Sequence, residues 1–376
     1  MQGATDFAFR LSAALAGDSV YDNLVLSPLS VWLPLVALIN ATEMEYREAL
    51  SETLGVKGIS EEEINQAVAR ILYELTSSHD TVEGSYNPLK LINAAFVSKE
   101  FTIRRSFTQL FSDYYNGTLY SIDFQSTQAV QEINKWASNS TEGLSGNVVD
   151  GFHPSTRAII VNAMYFADRW RGEFDVNDTK EDTFYSPSGE QSANFMLREG
   201  NNQSYYEDDI IQAVRLEFMT GGGMYILLPK NGDAMGFLSS MTSEKLDYIA
   251  AGVGQRTGKL LIPRFSINNV ALRLNDELKA LGIPFIEEHQ GSILNGLVEE
   301  DVLLWISDVR QKAVIEVDEN GTTAAAVTVI SADGEYPSRH SDPFEMVCNT
   351  PFVFILYELT SRGETVVLFS GIVNAP

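Results

Sequence analysis

The sequence predicts an α+β fold, because helical patterns cluster early in the chain and strand patterns cluster late. A doubly wound α/β sheet would instead alternate strands and helices along its length. The 376 residues are 44% hydrophobic, which is enough to bury a large core. No linker-like stretch, charge block or repeat divides them. We therefore expect one domain over residues 1–376.

Helical patterns dominate the early part of the chain. Phe7, Leu11 and Leu15 recur on one face, which indicates an amphipathic helix at the N-terminus. Pro28 suits the first turn of a second, strongly apolar helix, and Asn40 suits a left-handed cap after it. Further helices are predicted at 45–54, 61–75, 106–114 and 129–138.

Strand patterns follow. The apolar runs 211–218 and 224–228 flank a TGGG segment, which predicts a hairpin; the glycine spacing does not match a phosphate-binding loop. The chain ends with two strands joined by a turn at 360–364. The predicted strands are 23–27, 91–97, 157–166, 211–218, 224–228, 259–266, 352–359 and 365–373, and a helix is expected at 272–281.

Charge and composition exclude several classes of function. The net charge of −25 argues against nucleic acid and anionic membranes as partners, because both are bound by clustered Lys and Arg. No run approaches the roughly 20 apolar residues that a membrane-spanning helix needs. Met1 is followed by polar residues, so we expect no secretory signal in this chain.

Catalytic and metal-binding patterns are missing from the sequence. Cys348 is the one cysteine, so neither an intrachain disulfide nor a cysteine-based zinc site can form. The four histidines lie far apart without metal-ligand spacing, and no GxSxG nucleophile motif occurs. We expect no enzymatic activity, no metal and no cofactor.

The most informative segment begins at Thr322. If it were a strand, one face would carry only small or apolar residues, while Asp333 and Glu335 would lie on the other face. An ordinary edge strand would explain the alternation, but not three consecutive alanines, which are poor strand residues. Residues 331–343 contain the turn formers of an exposed loop. A segment able to join a sheet therefore precedes a segment that a protease could cut. The inward positions are Thr322, Ala324, Ala326, Thr328, Ile330, Ala332 and Gly334.

Seven motifs in order and spacing make the chain resemble the serpin family over almost its whole length. They are NLVLSPLS at 23–30, INKW at 133–136, VNAMYF at 161–166, IPRF at 262–265, ENGTTAAA at 319–326, PFVF at 351–354 and LFSGIVNAP at 368–376.

The resemblance implies helices packed on three mostly antiparallel sheets, with an exposed reactive centre loop at about 319–343. It also implies a serine protease inhibitor that acts as a suicide substrate: the cleaved loop inserts into the central sheet and traps the acyl-enzyme. The alternatives are a non-inhibitory serpin (a carrier, a chaperone or a simple substrate) and a cross-class inhibitor of a cysteine protease. The hinge of the loop would be Glu319, Gly321, Thr322, Thr323, Ala324, Ala325 and Ala326.

Two further regions follow from the resemblance. Trp170, Arg264 and Glu319 would meet at the breach, where the loop first joins the sheet. The polar shutter beneath the sheet would consist of Ser27, Ser30, Asn162 and Gln311. Gln311 stands where the family commonly has a histidine; an amide both donates and accepts hydrogen bonds, but it does not titrate.

The reactive bond has two candidates. Family spacing from the hinge indicates Glu335–Tyr336, whereas counting back from the C-terminal strands indicates Arg339–His340. Glu335 would suit a glutamyl-preferring, elastase-like or subtilisin-like serine protease, and Arg339 a trypsin-like one. Asp333 keeps a caspase-like cysteine protease open as a target.

Source and location are expectations of the same kind. Asn320 starts an N-x-T sequon, and a glycan there would crowd the hinge, so we expect a source that leaves it unmodified, for example a bacterium. We expect a monomer that is extracellular or at the cell surface, with a cytoplasmic location as the alternative.

Overall fold

The computed structural model of the protein describes residues 2–16, 22–77, 79–81, 84–140, 147–268, 271–284, 286, 294–322 and 343–376. The described part is mixed α+β, as predicted. Its nine α-helices are α1 (Gln2–Ala16), α2 (Pro28–Ala37), α3 (Met44–Thr53), α4 (Glu61–Thr76), α5 (Arg105–Tyr115), α6 (Ala129–Ser140), α7 (Ala234–Ser239), α8 (Ser243–Gly252) and α9 (Asn275–Ala280).

Two local predictions about the helices are wrong. Asn40 belongs to a 3-10 turn, Leu38–Ala41, that continues α2, and its side-chain amide donates to the Ala37 carbonyl at 3.1 Å instead of capping in a left-handed conformation. The predicted helix at 272–281 begins only at Asn275, because Leu272 and Arg273 pair with a neighbouring strand.

Twenty strands occur in these ranges. They are β1 (Leu24–Leu26), β2 (His79–Thr81), β3 (Gly84–Tyr86), β4 (Leu89–Ser98), β5 (Gly117–Ile122), β6 (Ala158–Phe166), β7 (Asp168–Arg169), β8 (Lys180–Ser186), β9 (Gly189–Glu207), β10 (Ile211–Glu217), β11 (Gly223–Pro229), β12 (Gly254–Pro263), β13 (Phe265–Ile267), β14 (Leu272–Arg273), β15 (Asp308–Ala313), β16 (Ile315–Val317), β17 (Gly321–Thr322), β18 (Phe344–Val347), β19 (Phe352–Leu359) and β20 (Thr365–Val373).

The largest sheet is built around the C-terminal strands. Its order is β1-β20-β19-β11-β10-β9-β12-β18, with β8 beside β9, and every pairing except β12 with β18 is antiparallel. Residues 352–356 of β19 are fully buried, as expected of a continuous apolar run covered on both faces. This sheet supplies much of the hydrophobic core.

The predicted site lies where two sheets meet, because β7 follows β6 and β16 follows β15 in the chain; we call the five-stranded sheet the lower part and the four-stranded sheet the upper part. The lower part has the order β14-β15-β6-β4-β5, and the upper part β13-β16-β17-β7. β15 and β6 are parallel and pair directly, from Asp308 opposite Ile159 to Ala313 opposite Met164. In the upper part β17 lies between the continuations of these strands and is antiparallel to both. The parallel strands β6 and β15 are therefore paired directly, whereas their continuations β7 and β16 are separated by the two residues of β17.

Gly371 of β20 provides a test of the core. A Cβ atom at this position would lie 2.0 Å from the Leu24 carbonyl oxygen and 2.5 Å from Cζ of Phe354. Because backbone must move to relieve that clash, we expect Gly371→Ala to lower the free energy of unfolding by about 2 kcal/mol in urea titrations. Gly254→Ala is the matched control, since its Cβ would meet nothing within 4 Å. Equal stability of the two variants would contradict this packing.

Candidate functional site

A polar cluster lies beneath the closed pair of central strands. It consists of Ser27, Ser30, Asn162 and Gln311, and we call it the shutter cluster; all four side chains are buried. Ser27 and Ser30 lie at the start of α2, while Asn162 and Gln311 face each other across β6 and β15. The structure thus brings these four predicted residues together.

Gln311 joins the sheet to the start of α2. Its Oε1 accepts the Ser27 backbone N–H at 3.0 Å, and its Nε2 donates to the Ser30 hydroxyl at 2.8 Å and to the Ser27 carbonyl. The Ser30 hydroxyl in turn donates to the Ser27 carbonyl at 3.0 Å. The amide uses both its donor and its acceptor, so a neutral side chain that does not titrate joins the sheet to α2.

Asn162 is the unsatisfied member of the shutter cluster. Its side chain is fully buried, and neither Nδ2 nor Oδ1 has a hydrogen-bond partner within the described ranges. Asn93, opposite it on β4, likewise has an unpaired Oδ1. A buried polar group without a partner costs about 1–3 kcal/mol. The closed sheet therefore retains an unsatisfied amide at the seam between β6 and β15, and an unpaired amide oxygen on the neighbouring strand β4.

The described part of the hinge forms the two-residue strand β17. Thr322 lies between Val317 of β16 and Asp168 of β7, is 1% exposed, and its hydroxyl accepts the Asp168 backbone N–H at 3.3 Å. A Cβ at Gly321 would lie 2.0 Å from the Asp168 carbonyl oxygen. Only glycine permits this close approach, and the next inward side chain is a small threonine.

Trp170 fastens the turn that precedes the hinge. Its ring stacks on Phe218 at a centroid distance of 4.7 Å, and its Nε1 donates to the Asp318 carbonyl at 2.9 Å. Its backbone N–H donates to the Asn320 carbonyl at 2.8 Å. Asp318 then accepts the Asn320 and Gly321 N–H groups at 2.8 and 3.2 Å. The turn is thereby held from both sides before the chain joins the sheet.

Arg264 and Glu319 form a bidentate ion pair at the turn that precedes the hinge. Arg264 Nε lies 2.8 and 2.9 Å from the two Glu319 carboxylate oxygens, and Nη2 lies 2.6 Å from Oε1. Thr179 also donates to this carboxylate. Burial alone would raise the pKa of Glu319, but the hydrogen bonds from Arg264 and Thr179 outweigh burial and lower that pKa. The pair therefore adds stability above the ordinary glutamate pKa and loses it as pH falls through the lowered value.

Some members of this constellation escaped the sequence prediction. Asp318 and Asp168 gave no signal, because an acidic turn and a single aspartate after a strand are common on any surface. Thr179 also gave no signal, because its bond to Glu319 needs the folded loop at 171–178. The hinge residues Thr323, Ala324, Ala325 and Ala326, and the candidate bonds Glu335–Tyr336 and Arg339–His340, lie outside the described residues, as does Asp333.

The profile of the serpin (serine protease inhibitor) family matches residues 2–376. The chain belongs to the serpin family. An uncharacterized serpin-like protein of Thermococcus kodakarensis is 29% identical over 97% of this chain and 83% of its own length. Serpin-Z7 of Hordeum vulgare is 29% identical over 99% of this chain and 95% of its own.

Solved serpin structures share the whole fold. Mouse protein-Z dependent protease inhibitor superposes with a TM-score of 0.85 at 25% identity, covering 100% of this chain and 96% of that one. Human thyroxine-binding globulin in complex with thyroxine reaches a TM-score of 0.86 at 24% identity, covering 100% and 98%. The predicted serpin fold is confirmed.

Family membership sets the coarse function. Serpins are mostly protease inhibitors that bind a target protease and are not themselves enzymes, although the family also contains hormone-binding globulins. Among the residues with described positions, no helix is long and apolar enough to cross a membrane.

The Arg264–Glu319 pair generates a stability prediction. The Glu319 side chain is only 6% exposed and Arg264 is 41% exposed, so Arg264→Ala leaves a buried carboxylate without its main partner. We expect a loss of about 2 kcal/mol, less than for a fully buried pair. Arg171→Ala, which removes the exposed pair with Glu217, is the control and should cost under about 0.5 kcal/mol. Calorimetry checks both, and similar losses would show that the pair contributes no more than a surface contact.

Proposed function

We propose that the protein inhibits a serine protease as a suicide substrate. The protease serine attacks the carbonyl carbon of the scissile residue, the amide nitrogen leaves as a new N-terminus, and an ester joins the enzyme to the loop. The cut segment after Thr322 then inserts between β6 and β15 and carries the bound protease with it. Inhibition succeeds if insertion is faster than hydrolysis of the ester.

One observation carries this proposal: β6 and β15 pair directly as parallel strands, while β17 already lies antiparallel between their continuations. A strand that extends β17 downward replaces one parallel ladder with two antiparallel ladders. Antiparallel pairing is slightly more stable per residue, and the number of ladder hydrogen bonds rises. The arrangement therefore has a geometric reason to accept one more strand at this position.

The register of β17 indicates what the inserted strand would meet. Thr322 is opposite Asp168 on one side and Val317 on the other, so a regular strand six residues further would bring Thr328 between Asn162 and Gln311. A threonine hydroxyl can both donate and accept a hydrogen bond. The inserted state would thus offer a partner to the amide that the closed sheet leaves unpaired.

The energetics favour insertion. About a dozen new residues, at roughly 1 kcal/mol net per hydrogen bond, give on the order of 10 kcal/mol before burial is counted. A bulky or charged first inward residue would oppose this gain, because it would be buried without a partner. Thr322 and the following alternate positions of the sequence are small or apolar, and none is charged.

The target class depends on the scissile bond. We propose Glu335–Tyr336, which suits a glutamyl-preferring, elastase-like or subtilisin-like enzyme, with Arg339–His340 and a trypsin-like enzyme as the alternative. The protein would act as one domain and as a monomer, outside the cell or at its surface.

A non-inhibitory role is the second candidate. The likeness to thyroxine-binding globulin favours it, since that serpin is seen in complex with a small hormone. A carrier of this kind needs no loop insertion. The presence or absence of insertion after cleavage therefore distinguishes the two functions.

Cleavage of the loop tests insertion directly. We expect thermal unfolding of the cleaved protein to shift upward by tens of degrees, because the added strand stabilises the central sheet. Incubation with trypsin, elastase and a glutamyl endopeptidase should yield a complex that survives SDS with at least one of them. Mass spectrometry of the released C-terminal peptide then decides between Glu335 and Arg339. An unchanged melting temperature would rule out insertion, and cleavage by every protease without a complex would favour the non-inhibitory role.

Thr322→Arg tests the direction of the inserting face. Thr322 is already 1% exposed between Val317 and Asp168, so the arginine should displace β17 and remove the strand that insertion extends, and most of the protein should then be cleaved as an ordinary substrate. Thr323→Arg is the matched control, because alternation predicts that this position faces solvent. The number of inhibitor molecules consumed per protease should rise about tenfold or more for the first variant only. An equal rise in both would reject the predicted parity.

A further inference from the structure

Two buried carboxyl groups contact the turn at 220–222, and one of them, Asp168, also pairs with the hinge strand β17. Glu358, on β19 of the large sheet, is 8% exposed, and Asp168, on β7, is 3% exposed. The Glu358 carboxyl group packs against the glycine turn after β10, since a Cβ at Gly222 would lie 2.7 Å from its Oε2. Its Oε1 has no hydrogen-bond partner within the described ranges. The loop-insertion mechanism gives Glu358 no role.

Asp168 links the glycine turn to the hinge. Its Oδ2 accepts the Thr220 backbone N–H at 3.2 Å and the Thr220 hydroxyl, and its Oδ1 accepts the Arg169 N–H at 2.7 Å. Its own backbone pairs with Thr322 of β17. A displacement of Asp168 is therefore transmitted directly to the hinge through its pairing with Thr322.

The groups that face Glu358 leave its negative charge without compensation. Burial and the negative charge of Asp168 raise the pKa of Glu358 to about 7, and only the N–H of Leu359 opposes them. The opposite residue on β20 is Val366, and on β11 Gly223 pairs with the preceding Tyr357. The turn contributes Thr220 and glycines. The Arg169 side chain is bound to Glu173 at 2.6 Å.

We propose that Glu358 is a protonation switch for the hinge: protonated, it allows β17 to remain paired with β7, and ionised, it weakens that pairing. Two buried carboxylates repel each other, and the strain is relieved where the structure yields most easily. β19 is paired on both sides over most of its length, whereas β7 and β17 have two residues each. Separation at β7 would also admit water to both acids.

The sign of the effect follows from linkage. Glu358 binds a proton more tightly when the hinge is closed than when the site is open to water, so the closed hinge holds more protons between the ordinary glutamate pKa and the raised value. The closed state is therefore most stable at acidic pH, loses stability as pH rises through this window, and becomes independent of this group above it.

Hydrogen exchange measures the pairing without a protease. The observables are the protection factors of peptides covering 166–171 and 317–322, corrected for intrinsic exchange and divided by those of β4. We expect this ratio to fall about tenfold in the unaltered protein between pH 6 and pH 8, because from pH 6 up to the raised pKa the closed hinge binds about one proton more than the open hinge. In Glu358→Gln the ratio should be constant. Glu345→Gln, which alters an exposed glutamate, should keep the pH dependence.

Asp168→Asn supplies a second variant in case Glu358→Gln does not fold. Removing the neighbouring charge should move the midpoint of the transition to lower pH. A flat ratio in the unaltered protein, an unchanged fall in Glu358→Gln, or an unmoved midpoint in Asp168→Asn would overturn the switch.

The inference rests on the hinge of the proposed function, yet the two can fail separately. A pH-dependent hinge in a protein that never traps a protease would reject inhibition alone. A working inhibitor with pH-independent exchange would reject the switch alone.

Discussion

The direct parallel pairing of β6 with β15 is the constraint on which the rest of the molecule depends. Two parallel neighbours create the one kind of seam that an antiparallel strand can join with complementary ladders on both sides. The short β17 marks the upper end of that seam and fixes the register of anything that follows it. Strand order, hinge composition and the polar groups beneath the sheet can all be understood as conditions for keeping this seam closed yet able to open.

The polar groups at the seam act in opposite senses. Gln311 is fully bonded to the start of α2, so it holds β15 to the layer beneath the sheet. Asn162, its neighbour across the seam, is buried without a partner in the described structure, so the closed state includes a cost that opening could remove. At the upper end Glu319, Arg264 and Trp170 hold the turn before the hinge. Closure is thus maintained by the bonds of Gln311 and of the turn before the hinge, and opposed by the unpaired amide of Asn162.

Sequence patterns predicted the parts of the fold that are governed by local periodicity. The terminal strands 352–359 and 365–373 match the observed bounds, and the helices from 45 to 140 agree within two residues. The nineteen-residue β9 was not predicted. Its alternation of apolar and polar residues is weak, and its pairing with β8, β10 and β12 depends on turns and on contacts between distant parts of the chain. The family motifs predicted that Arg264 and Glu319 lie together. They could not indicate Asp168 or Glu358, since a buried acid is recognised by its surroundings and not by its neighbours in sequence.

The positions of these acids bear on how a strained fold is controlled. The four side chains of the shutter cluster are neutral, so changes in pH act on this cluster weakly. At the upper end Glu319 is stabilised by Arg264, and Glu358 has no counterion among the groups that face it. One carboxylate holds the turn before the hinge, and the other packs against the turn whose Thr220 binds Asp168. Because β17 has two residues, a difference of one or two hydrogen bonds is a large share of what holds it. The first step of strand insertion is therefore the step most open to adjustment by charge.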